Sequence, residues 1–227
     1  MRIACLLSCV SAMAPAIALA TGSGEFASPV QITFNSSSAP TSVRVNDVYS
    51  PRMIQQTING TPTLVMYFGG WYQVTNSPSV TPNDQIYRMV CSSPTSCDAP
   101  QSVINLNNDT SSGFAMGSLA NNPTIVGPVT ENGQSIYIMY MTVVNGPPGT
   151  GFTLADNQIY YSTSFADDGV NWSVPTPLIS TAWLPSATLD SNNPPNVILY
   201  ANSTSSGLLL KYNLGQSGVS VGRPVPN

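Results

Sequence analysis

The segment SPRMIQQTINGTPTLVMYF (50–68) returns in altered form as NPTIVGPVTENGQSIYIMYM from Asn122 and as LPSATLDSNNPPNVILY from Leu184. Each copy begins with a residue before proline, runs through mostly apolar residues, turns at an Asn-containing stretch, and returns as an apolar run carrying Tyr. The prolines Pro51, Pro123 and Pro185 are 72 and 62 residues apart. A recurring unit constrains a fold more than composition can, because each copy must bury its apolar faces against its neighbours. The likeness continues past each copy. DQIYRMV at Asp84 is echoed by NQIYYST at Asn157 and more loosely by GLLLKYN at Gly207. A fourth element follows as APQSVINL from Ala99, NWSVPTPLI from Asn171 and VSVGRPVP from Val219.

Each unit therefore reads as four strands. In the second they span 124–129, 135–141, 158–164 and 173–179, rich in Val, Ile, Tyr and Thr and bounded by Gly, Pro, Asn or Asp. TINGT at Thr57 and TENGQ at Thr130 place Asn-Gly between strand residues, a strong hairpin signal. Helical periodicity is absent beyond the N-terminus. The expectation is an all-β, β-propeller-like chain of about three four-stranded antiparallel blades, at 47–106, 119–180 and 182–227. Closed propellers usually have four to eight blades, so three imply an incomplete or truncated propeller with open edges suited to self-association. Residues 21–46, with the alternating PVQITFN, are an N-terminal extension or a partial closing strand.

The first twenty residues, MRIACLLSCVSAMAPAIALA, hold one basic residue, an apolar stretch and a small-x-small site at Ala18-Leu19-Ala20. That is a signal peptide, and it implies a secreted protein, extracellular or periplasmic, with no membrane attachment after cleavage. Cys5 and Cys9 leave with it. Cys91 and Cys97 remain in CSSPTSC, and in an exported chain this spacing across a Ser/Pro/Thr turn points to a hairpin disulfide. The chain has no histidine. Ser-His-Asp and Cys-His machinery and histidine-ligated metals are thereby excluded, and no cofactor or metal is expected. Only 7% of residues are charged and the net charge is −4, which argues against a nucleic-acid partner.

In FADDGVNW, from Phe165, the residues Asp167, Gly169 and Trp172 approximate the Asp-box turn of sialidase-like propellers, a structural device that packs its Trp against the blade. The proline-led strand, the MYF and MYM second strands and NQIYYSTSFADDGVNWS together resemble the five-bladed propellers of family 43 glycoside hydrolases and their invertase-like relatives. The resemblance extends from about Asp47 to Gly222. It implies three acids around the propeller axis: a general base opening the first blade, a pKa-tuning Asp opening the second, and a general acid Glu on the third. Hydrolysis needs one carboxyl to protonate the leaving oxygen and another to activate water or attack carbon.

The matching positions before proline hold Ser50, Asn122 and Leu184. Asn takes no proton at neutral pH, and Leu has no polar side-chain atom. Of the ten acidic residues, Asp47 alone stands near a blade start, as a base or as an Asx-turn residue; Glu25 precedes the first unit, and the others, Asp84 included, read as turn residues or lie far from the axis. The expected function is an exported, glycosidase-like domain that binds a poly- or oligosaccharide. Trp71, Tyr72 and Trp183 would stack on sugar faces, or else pack between blades, while Asn122 hydrogen-bonds hydroxyls. The alternatives are an active hydrolase with Asp47 as base, and an interaction protein that assembles through blade edges.

Overall fold

The proline-led segments fold as one strand in each of three antiparallel sheets. The computed structural model describes residues 33–34, 43–74, 84–107, 110–131, 133–146, 153–165 and 170–219, without the side chains of 33–34, 43–47, 71–74 and 131. All of them fall within one compact unit, Ile32–Asn227. The first sheet contains β1 (Thr33–Phe34), β2 (Val43–Ile58), β3 (Thr61–Val74), β4 (Asp84–Ser93), β5 (Ser96–Cys97) and β6 (Gln101–Ile104). Its order is β1-β5-β4-β3-β2, with β6 also on β4. The second is built from β7 (Leu119–Glu131), β8 (Gln134–Val144), β9 (Asn157–Phe165) and β10 (Thr176–Ile179), in the order β10-β9-β8-β7. The third holds β11 (Ala182–Leu189), β12 (Val197–Ser203) and β13 (Leu209–Asn213) in chain order. Among the described residues the only helical turns are the short 3-10 segments Thr110–Ser112 and Leu154–Asp156.

This is a partial β-propeller. Strand β7 touches β2, and β11 touches β7, so the three proline-bearing strands are neighbours at the hub. The second sheet is packed on both faces. Tyr137, Met139 and Met141 meet the first sheet, while Ile138 and Tyr140 meet the third. That double burial explains why β8 reads as an apolar run broken only by Thr142, IYIMYMTVV, buried over nine consecutive residues, where a strand with one wet face would alternate. The Tyr140 hydroxyl donates to the Gly218 carbonyl at 2.6 Å and ties the end of the third unit to the second sheet.

Several local expectations meet their counterparts. The first three strands expected in the second unit lie inside β7, β8 and β9, while β10 covers only the last four residues of the fourth, expected at 173–179. Asn59 and Gly60 have φ of 49° and 75°, as the two-residue turn between β2 and β3 requires. Cys91 and Cys97 form a disulfide with their Cα atoms 3.9 Å apart, joining β4 to β5. It borders a cluster of Met66, Phe68, Tyr87 and Met89 on the face of the first sheet turned away from the second. Trp172 packs, but against the neighbouring sheet: its ring meets Tyr67 of β3 edge-on at 5.7 Å. The signal segment, residues 166–169 of the Asp-box turn and the expected last strand from position 220 lie outside the described residues. Of the 21–46 extension, Thr33–Phe34 run parallel to β5, and β2 already begins at Val43.

Candidate functional site at the hub

The three residues before proline share one backbone geometry. Ser50, Asn122 and Leu184 have φ of 49°, 51° and 51°. At each, the strand gains one residue on its partner: the pairing steps from Tyr49↔Gly69 to Arg52↔Tyr67, from Asn121↔Thr142 to Thr124↔Tyr140, and from Trp183↔Asn202 to Ser186↔Tyr200. This is a β-bulge whose first residue is left-handed, a place where glycine is usual, followed here by proline. A residue before proline ordinarily stays extended. Three departures at equivalent positions make the bulge a property of the repeat.

The bulges bring the first two sheets into hydrogen-bonding contact. The Ser50 hydroxyl donates to Asn122 Oδ1 at 2.8 Å, and Asn122 Nδ2 donates to Asn121 Oδ1 at 2.9 Å. Asn121 Nδ2 donates in turn to Asp84 Oδ2 at 3.2 Å, and the Tyr49 hydroxyl donates to Asp84 Oδ1. Gly69 makes the last contact possible, because a Cβ there would collide with the Tyr49 ring. The third sheet joins through Thr142, the cross-strand partner of Asn121, whose Oγ1 accepts the Leu184 N–H at 3.0 Å. The hydrogen-bonded hub thus comprises Tyr49, Ser50, Asp84, Asn121 and Asn122.

Asp84 is the residue that sequence reasoning missed, having been grouped with turn residues late in its unit. In an antiparallel meander the first strand starts, the second ends and the third starts at one end of the sheet, so the start of β4 belongs with the bulge. That order was legible in the repeat. Its hydrogen bond to Asn121 of the next sheet was not. Its two carboxyl oxygens each accept one of these protein hydrogen bonds, Oδ1 from Tyr49 and Oδ2 from Asn121.

Other carboxylates take different places. Asp156 stands just before β9, at the same end of the second sheet as the bulge, where it accepts the Thr153 N–H at 2.7 Å. Asp190 follows β11, roughly 20 Å of strand beyond Leu184. Its carboxyl is held below the usual carboxylate range first by the Asn196 side chain, with further donors from the Asn196 backbone and Asn192. Glu131 ends β7, at the far end from Asn122. Among the described side chains no acid stands at the start of the third sheet, where Leu184 lies.

Of the other expected site residues, Asn122 lies in the hub chain of hydrogen bonds, and Trp183 occupies the position equivalent to Tyr49 and Asn121. The backbone of Trp71 pairs with Asn46 and Asp84, and that of Tyr72 pairs with Val45. Asp47 sits in β2 between Asn46 and Tyr49. The side chains of Asp47, Trp71 and Tyr72 lie outside the described residues.

No protein-family model and no curated protein sequence matches the chain. Solved structures with a similar chain path include an exo-β-1,3-galactanase from Phanerochaete chrysosporium with β-1,3-galactotriose, at 12% identity and a TM-score of 0.49 over 81% of this chain and 42% of that one. An exo-β-1,3-galactanase from Clostridium thermocellum matches at 12% identity and a TM-score of 0.44, over 80% and 40% of the two chains. A β-1,3-galactosidase of glycoside hydrolase family 43 matches at 11% identity and a TM-score of 0.44, over 80% and 38%. The chain thus spans less than half the length of each of these three structures.

Proposed function

We propose that this chain is an exported, glycosidase-like β-propeller domain that binds a carbohydrate at the hub and does not cleave it. The observation that carries this reading is the set of equivalent residues at the three bulges. The family resemblance implies carboxylates there; the chain has a hydroxyl, an amide and an alkyl group, and the first two are hydrogen-bonded to each other. Such a mouth offers donors and acceptors to sugar hydroxyls, a carboxylate already bonded to two protein donors, and the half-buried Trp183 ring as a stacking surface. Among the described side chains, no carboxylate besides that of Asp84 is hydrogen-bonded into the hub chain, whereas glycosidic cleavage needs a pair.

The test is titration calorimetry with a panel of neutral oligo- and polysaccharides, together with an assay for released reducing ends. Binding without release is expected, and Asn122→Ala and Trp183→Ala are each expected to weaken it about tenfold or more. Asp47→Asn is expected to leave binding intact. If reducing ends appear and Asp47→Asn abolishes them, the hydrolase reading replaces this one. If no glycan binds, the carbohydrate reading fails.

A further inference from the structure

The seam between the first and second sheets buries cationic and polar groups that the hub does not use. Arg52, Tyr67 and Arg88 are directly paired across β2, β3 and β4, so they form one row on one face of the sheet. The two arginine backbones are two strand spacings apart, about 10 Å. They are two of the six basic residues in the chain. This face packs on the second sheet, since Tyr67 clusters with Tyr137, Met139 and Tyr160. Arg52 is exposed towards the hub, whereas Arg88 is 6% exposed and Gln56, on the same face, is 0% exposed. The Tyr67 hydroxyl donates to Gln56 Oε1 at 2.8 Å and also hydrogen-bonds Arg88, and the Trp172 ring stands against it.

Three buried atoms around Tyr67 have no hydrogen-bond partner among the described residues: Gln56 Nε2, Arg88 Nε and Trp172 Nε1. All three are N–H donors, and one belongs to a guanidinium. A buried cation and buried donors are each costly without an acceptor. Water is a poor match, because its own two hydrogens would need acceptors and the unpartnered buried atoms on this face are all donors. An anion accepts from every side and compensates the charge.

We propose that this seam is a binding site for a small monovalent anion of the halide class, held by Arg88 Nε, Gln56 Nε2 and Trp172 Nε1. A halide is the smallest acceptor of this kind, and exposed Arg52 lies on the same row. The anion would hold the first two sheets together, a role independent of any carbohydrate at the hub.

The experiment measures Tm of the protein, dialysed into sodium gluconate, as chloride or bromide replaces gluconate at constant ionic strength. Tm is expected to climb by about 3–5 °C for each tenfold rise in halide above its Kd. Trp172→Phe keeps an aromatic ring and removes one donor; it is expected to need roughly tenfold more halide for the same Tm. Arg88→Met is expected to abolish the climb. A wild-type Tm that is the same in gluconate and chloride overturns the proposal. So does an equal climb in all three proteins, which marks a general salt effect. Should Arg88→Met not fold, Trp172→Phe decides: a displaced halide dependence supports the site, and an unchanged one overturns it.

Discussion

At Leu184 a branched, half-buried side chain sits on a backbone with φ of 51°, a conformation that costs an L-residue about 1–2 kcal/mol. Asn, found at the equivalent position 122, tolerates that region better. Leu184→Asn is therefore expected to raise stability by about 0.5–1 kcal/mol in urea denaturation, despite the apolar area it gives up. Tyr67 is the second residue with a measurable consequence. Burial pushes its phenol up to about 12, against the lowering influence of Arg88 and Gln56. An unfolded tyrosine ionises near pH 10, so between roughly pH 10 and 12 the unfolded chain releases a proton that the folded chain retains. The stabilisation is complete below about pH 10 and disappears as pH rises through 12. Urea midpoints are expected to fall over that interval. Tyr67→Phe is expected to start from lower stability, because Gln56 Oε1 loses its donor, and to fall less steeply.

Among the elements, the disulfide between β4 and β5 closes a short loop, and a loop of that length stabilises by roughly 2–3 kcal/mol through restriction of the unfolded chain. Replacing Cys91 and Cys97 by Ser is expected to lower stability by about that amount, read as a reduced urea midpoint with unchanged far-ultraviolet circular dichroism. The segment after β13 is positioned more tightly. Gly218 has φ of 70°, and a Cβ there would meet Ile138 Cδ1 and lie 2.7 Å from the Tyr140 hydroxyl. Gly218→Ala is expected to cost about 2–4 kcal/mol from strain and overpacking combined. Tyr140→Phe, which leaves the Gly218 carbonyl without its donor, is expected to cost about 1–3 kcal/mol. An unaffected Gly218→Ala variant would show that this segment does not dock on β8.

For the molecule as a whole, the question is how three sheets act as one body. Apolar packing on both faces of the second sheet supplies most of the cohesion, and a few polar contacts set the angular position of its neighbours. Thr142 Oγ1 accepts the Leu184 N–H, and Thr124 Oγ1 accepts the Ala187 N–H at 3.2 Å. Both hydroxyls reach from β7 or β8 to β11. Thr142→Val preserves shape and removes the acceptor, so it is expected to cost about 1–3 kcal/mol. Hydrogen exchange is expected to show the loss of protection concentrated in β11, β12 and β13, because their attachment to the second sheet is what weakens. Uniform loss across all three sheets would mean that the body unfolds as one unit.

Much of this was settled by residues close together in the chain. Proline placement, Asn-Gly pairs, runs of Val, Ile and Tyr, and two cysteines six apart define strands, hairpins and a disulfide, because each depends on only a few neighbouring residues. The missing histidine and the small acidic inventory narrowed the chemistry equally early. Tertiary structure decided what needs register between strands. It put Asp84 beside Asn121, turned Trp172 onto the adjoining sheet, placed Arg52 and Arg88 in one row, and gave Ser50, Asn122 and Leu184 the same left-handed bulge. A side chain's face and its partner across a seam depend on how distant strands align, and a single residue of slippage reverses every one of those assignments.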